Sequence, residues 1–132
     1  MNYLLDTHIL LWSLLVPEKI NENIRKIILN PENDILVSKI SLWEISLKYS
    51  LGKLELSGVI PEELDEKIIN SGYKIIEIEN QELLSYYKLP KVEHKDPFDR
   101  MIIWQCIKNN YILVSRDTKF DLYKTFGLKI IF

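Results

Sequence analysis

Cysteine is nearly absent. The single one, Cys106, excludes an internal disulfide and fits a reducing compartment. Its place inside an apolar stretch marks it as a core residue rather than a thiolate nucleophile. Histidine is almost as scarce. His8 and His94 beside one cysteine make no Cys/His cluster for zinc. Of four glycines, Gly52, Gly72 and Gly127 each fall just past a predicted helix. No glycine-rich loop is left to cradle a phosphate, which excludes Walker-type and dinucleotide-binding sites. There is no bilayer-length apolar run: Ile9–Val16 is too short, and no positive segment precedes it as in a signal peptide. A cytoplasmic protein with no membrane partner is expected. Nor is there an excess of charge of one sign. With 17 Lys and Arg against 19 Asp and Glu, the net charge of −2 excludes nucleic-acid binding by bulk charge, yet permits a local basic rim.

What is present is an alternation. The 132 residues suit one domain, 1–132. Short apolar strands are predicted at 2–5, 34–37, 73–78, 111–114 and 128–132. Helices are predicted at 7–15, 18–29, 42–51, 61–71, 80–87, 97–109 and 118–126, with a polar loop at 88–95. Such alternation with short loops points to an α/β fold with a mainly parallel sheet flanked by helices.

In such sheets, ligands bind beyond the carboxyl ends of the strands. Asp6 ends the first strand, and Asp117 follows the 111–114 strand. Glu44 lies in the first turn of its helix, and Asp96 and Asp99 in the first turn of theirs. Each has an ordinary explanation. Asp6, Asp96 and Asp117 can cap helices; Ser41 and Glu44 make a capping box; Glu44 and Lys48 make an i,i+4 pair. Asp99 is harder to dismiss, because Ile102, Ile103 and Cys106 follow it at helical spacing. Convergence of these acids would make them repel, and a hard divalent cation offsets that repulsion. The donor types point to Mg2+ or Mn2+ and to metal-assisted phosphoryl transfer or hydrolysis. Lys48, His94, Arg100 and Arg116 lie near the acids in sequence and are candidates for substrate phosphates, the two arginines foremost.

The segments Leu5-Asp6-Thr7-His8, Ser41-Leu42-Trp43-Glu44-Ile45, His94-Lys95-Asp96-Pro97-Phe98-Asp99-Arg100 and Val114-Ser115-Arg116-Asp117 together resemble the PIN-domain ribonucleases, in particular the VapC-type toxins. The resemblance spans the chain in order. It implies a PIN-like three-layer fold with about five strands. It implies catalytic, metal-binding carboxylates at Asp6, Glu44, Asp99 and Asp117, with Thr7, Asp96 and Ser115 supporting them. It further implies Mg2+- or Mn2+-dependent cleavage of single-stranded RNA, a homodimer, and silencing by a cognate VapB-like antitoxin. Two alternatives stand beside it. One is a haloacid-dehalogenase-type phosphatase with Asp6 as nucleophile, which needs an acid where His8 stands. The other is a non-catalytic PIN-like binding module.

Overall fold

The computed structural model describes all residues, 1–132. Its centre is a five-stranded sheet in the order β3-β2-β1-β4-β5. The strands are β1 (Asn2–Leu5), β2 (Asp34–Ser38), β3 (Lys74–Ile76), β4 (Ile112–Val114) and β5 (Lys129–Ile131). Every pairing is parallel. The helices are α1 (Thr7–Leu15), α2 (Glu22–Leu29), α3 (Lys39–Ser50), α4 (Glu63–Asn70), α5 (Asn80–Leu84) and α6 (Pro97–Asn109).

The strands are short and apolar because both sheet faces are covered. Successive residues of β1 serve opposite faces. Leu5 packs with Ile9, Ile24, Val37 and Ile68 on one side, while Leu4 packs with Met101, Ile102, Ile103, Leu113 and Phe120 on the other. Leu4 and Leu5 are fully buried, so truncating either to alanine costs about 3 kcal/mol.

The order places β1 and β4 side by side at the switch point. From there the chain runs outward one way through β2 and β3 and the other way to β5. The Asp6 N–H donates to the Val114 carbonyl at 3.0 Å, locking the two strand ends that flank this crevice.

Several element boundaries differ from the sequence reading. The 18–29 helix divides into a 3-10 turn, Pro17–Lys19, and α2, which starts behind an Asn21 cap. The third helix begins at Lys39, because Ser38 already accepts from the Ile40 N–H. Ser41 is therefore inside α3 and is not the cap of a Ser41–Glu44 box. The third strand shortens to Lys74–Ile76, and 80–87 becomes α5 followed by a 3-10 turn. Thr118–Phe126 is wound as 3-10 rather than α-helix. Cys106 is buried, and burial pushes its thiol far above the ordinary range, as a core cysteine requires.

Candidate active site

The site is built at the carboxyl edge of the sheet from three helix or turn starts and from Glu44, which stands in the second turn of α3 and not in the first, because that helix begins at Lys39. Asp6 follows β1 and caps α1, accepting from the Ile9 N–H at 2.8 Å. Asp117 caps the 3-10 segment after β4 and accepts from the Lys119 N–H at 2.9 Å. Asp96 caps α6 and accepts from the Asp99 N–H at 3.0 Å, while Pro97 occupies the first helical position, where no N–H is needed. Capping and site-building thus overlap: Asp6 and Asp117 are caps that are themselves site acids, and the Asp96 cap fixes where Asp99 stands.

Asp6, Glu44, Asp99 and Asp117 line one cavity of about 440 Å3, together with Thr7, His8, Trp12, Lys48 and Arg116. Asp96 lies outside it, in the adjoining groove with His94 and Lys119. Glu44 is 4 % exposed although it is ionisable, and its two oxygens are both engaged. Oε1 accepts from the Thr7 hydroxyl at 2.6 Å, and Oε2 from the Lys48 ammonium. Ser41 lies 2.9 Å from the Thr7 oxygen. Thr7 has one proton and gives it to the carboxylate, so Ser41 donates to Thr7. The hydroxyl of Ser115 accepts from the Asp117 N–H at 3.1 Å and faces the Asp6 carboxylate. Ser115 therefore joins the acids at the ends of β1 and β4.

The electrostatics are those of crowded, partly dried carboxylates. Asp6 is pushed up to about 6, chiefly by burial, with Glu44 adding to the rise and Ser115 and the Ile9 N–H opposing it. Asp99 is pushed up to about 7 by burial and by the fields of Asp96, Glu44 and Asp6. Burial pulls Lys48 down, but its bond to Glu44 and the fields of Glu44, Asp96 and Asp99 outweigh that, and its pKa ends raised. Lys48 and Arg116 are two cations against the four acids of this cavity.

Two expected phosphate contacts are corrected by the structure. Arg100 is 8 % exposed and faces away from the cavity. Its Nε donates to the Tyr86 hydroxyl, Nη1 to the Pro90 carbonyl and the Tyr123 hydroxyl, and Nη2 to the Leu89 carbonyl. Its donors are spent on holding the 86–90 loop and Tyr123 against α6. The His94 side chain is 7 % exposed and sits between Asp99 and Tyr123, at 3.1 and 3.0 Å. Both its nitrogens are engaged by protein, and it stands at the wall of the adjoining groove rather than in the cavity; burial lowers its pKa against the pull of Asp117 and Asp96. Arg116 does stand at the cavity, exposed, with its guanidinium 5.0 Å from the Trp12 ring centre. His8 and Trp12 also line the cavity. Tyr123 was missed: no spacing rule marks a fully buried tyrosine whose hydroxyl meets His94 and Arg100.

A doubly wound parallel sheet with acids gathered at its switch point defines a class of small α/β domains with an anionic pocket. Residues 3–125 match the PIN domain family model, and the chain belongs to that family. Solved structures agree in fold. VapBC2 from Rickettsia felis, bound to a DNA fragment from its promoter, aligns over 99 % of this chain and 98 % of its own at 21 % identity and TM-score 0.68. DNA-bound VapBC from Salmonella typhimurium aligns over 99 % and 97 % at 19 % identity and TM-score 0.69. FitAcB from Neisseria gonorrhoeae aligns over 98 % and 96 % at 18 % identity and TM-score 0.64. No curated protein sequence matches the chain.

Proposed function

We propose that this PIN domain is a divalent-metal-dependent endoribonuclease of the VapC type, cleaving single-stranded RNA as the toxin of a toxin–antitoxin pair. The observation that carries the reading is the lining of one cavity by Asp6, Glu44, Asp99 and Asp117, two of them pushed up to about 6 and 7. PIN domains are in general nucleases, and the neighbours of like fold are VapBC complexes. The donor set fits a hard cation: it is all carboxylate, and it is under-neutralised. No three His, Cys, Asp or Glu side chains form a ready-made cage. Mg2+ keeps several of its waters, so some of these carboxylates would reach it through water rather than directly.

Asp6, Glu44, Asp99 and Asp117 would hold the metal, which supplies Lewis-acid charge stabilisation at the phosphate and a more acidic water. The chain's own residues do the rest. Thr7, with Ser41 behind it, sets the direction of Glu44. Ser115 keeps Asp6 and Asp117 in register, and Asp96 fixes the helix start that presents Asp99. Arg116 and Lys48 at the cavity wall attract the RNA backbone.

The same reading proposes a cognate antitoxin and a homodimer. Leu11, Trp12, Leu15, Val16 and Leu54 line an apolar groove that opens onto Glu44 and Lys48, where an antitoxin segment would lie. Trp43 is 60 % exposed and meets Phe98 edge-on at 5.1 Å, an apolar patch suited to a second copy. No helix is long and apolar enough to cross a membrane, consistent with the cytoplasmic site of action proposed.

The test is Asp99→Asn. Purified wild type cuts single-stranded RNA with Mg2+ or Mn2+ and stops on chelation. The variant loses at least about 100-fold in rate with its circular dichroism intact. Retained cleavage would overturn the assignment, and a wild type that binds RNA without cutting it would favour the binding-module reading.

A further inference from the structure

Asp99 is the site acid with the least ordinary anchorage. Asp6 and Asp117 accept backbone N–H groups in their own caps, and Glu44 has Thr7 and Lys48. The side-chain hydrogen bond that Asp99 makes is to His94, and what stands behind His94 is unusual. The imidazole Nε2 lies 3.1 Å from Asp99 Oδ2, and Nδ1 lies 3.0 Å from the Tyr123 hydroxyl. That hydroxyl lies 3.1 Å from Arg100 Nη1 and 3.2 Å from the His94 carbonyl. Tyr123 is fully buried, and Arg100 is held by three further acceptors.

Proton bookkeeping gives this chain one direction. A guanidinium only donates, and an ionised carboxylate only accepts. The Tyr123 oxygen therefore accepts from Arg100 and has one proton to give. Were that proton given to the His94 carbonyl, Nδ1 would have to carry the imidazole proton. Nε2 would then face the Asp99 carboxylate lone pair to lone pair. With Asp99 ionised and the imidazole neutral, the form its burial favours, the arrangement that leaves no such clash has Tyr123 donating to Nδ1 and Nε2–H donating to Asp99.

We propose that Arg100, Tyr123 and His94 form a one-way series of hydrogen-bond donors that ends on Asp99 and fixes the direction of its carboxylate, with His94 as the positioning residue. The proposal rests on the metal-site reading above and deepens it. It assigns a task to the two basic residues that the structure withdraws from the substrate. Outer groups that orient a ligand are typically worth 10- to 100-fold in metal affinity.

The test is Mn2+ binding to the purified full chain, measured by calorimetry without RNA, alongside thermal melting. His94→Ala should bind about 10-fold or more weakly, and His94→Gln, whose amide N–H can reach Asp99, should recover most of that loss. Tyr123→Phe should bind several-fold more weakly, with Nitrogen-15 spectra in alkaline buffer showing His94 as the Nε2–H tautomer in wild type and as a mixture in this variant. Wild-type affinity in His94→Ala overturns the proposal, as does equal weakening in His94→Ala and His94→Gln. If His94→Ala does not fold, unchanged affinity and tautomer in Tyr123→Phe overturn it. A wild type without Mn2+ affinity fails the metal reading itself, and with it this one; loss confined to melting temperature fails this one alone.

Discussion

Asp99-Arg100 at the start of α6 and Arg116-Asp117 after β4 are the same two side chains in opposite order. In both places the aspartate lines the cavity. The arginines part company. On a helix, successive side chains point about 100° apart, so an Asp99 that faces the cavity turns Arg100 toward the protein. There it finds two carbonyls and two tyrosine hydroxyls. After β4 the backbone is an irregular turn, and Arg116 stays at the cavity wall, exposed over Trp12. Standing next to a site acid therefore says little about an arginine's task; the local backbone decides it.

The comparison makes its largest claim about stability. Arg100→Met keeps an apolar stem but leaves the Leu89 and Pro90 carbonyls and the Tyr86 and Tyr123 hydroxyls without their donor. The Tyr123 and Leu89 bonds are buried and the Tyr86 and Pro90 bonds part-buried; at about 1 kcal/mol for each buried bond and about half that for each of the others, a total loss of about 3 kcal/mol is expected in urea unfolding. Arg100→Lys should recover little, since an ammonium cannot span the guanidinium's fork. A loss within about 0.5 kcal/mol would remove the distinction between the two arginines.

A smaller effect separates the acids. Asp6 and Asp99 rise from 3.8 to about 6 and about 7, so the folded protein holds protons that the unfolded chain has released. Between those values the folded state binds more protons, and metal-free stability must fall as pH rises from about 4 to about 7. Asp99→Asn removes the larger share of that slope. Its amide oxygen still accepts from His94, so metal-free melting near neutral pH should rise, by the equivalent of about 1 kcal/mol or more. A fall instead would mean that the ionised Asp99–His94 contact outweighs the repulsion. Saturating Mg2+ should flatten the wild-type slope.

Periodicity and strand–helix alternation made the parallel sheet legible, because both faces of each short strand are buried and the strands read as unbroken apolar runs. Asp6, Asp96, Asp99 and Asp117 were legible for a related reason: each stands at a cap or first turn, where local residue patterns are strongest, whereas Glu44 falls in the second turn of α3 once that helix starts at Lys39. What was not legible depends on direction. Nothing local tells that Ser38 rather than Ser41 opens α3, since both can cap; packing of Ser38 onto Gln105 at 2.7 Å, 67 residues away, decides it. Arg100 and His94 were read by nearness in sequence to the acids, while their partners Tyr86 and Tyr123 come from the 3-10 turn after α5 and the segment after β4. Contacts of that range leave no spacing signature.

Arg116 carries the smallest effect and the sharpest contrast. Arg116→Ala loses one exposed cation–π contact at 5.0 Å, worth about 0.5 kcal/mol, so melting should scarcely change. Its proposed role is with the RNA backbone, and that role has its own readout. Removing one phosphate contact on a single strand should reduce the slope of log affinity against log salt by about 0.7 and weaken binding several-fold at low salt, whatever the RNA sequence. Arg100→Met, measured where it is still folded, should leave that slope unchanged, because its guanidinium faces away from the cavity. An unchanged slope in Arg116→Ala would place both arginines in the scaffold. A reduced slope in Arg100→Met would mean that the 86–90 loop it anchors also touches the strand.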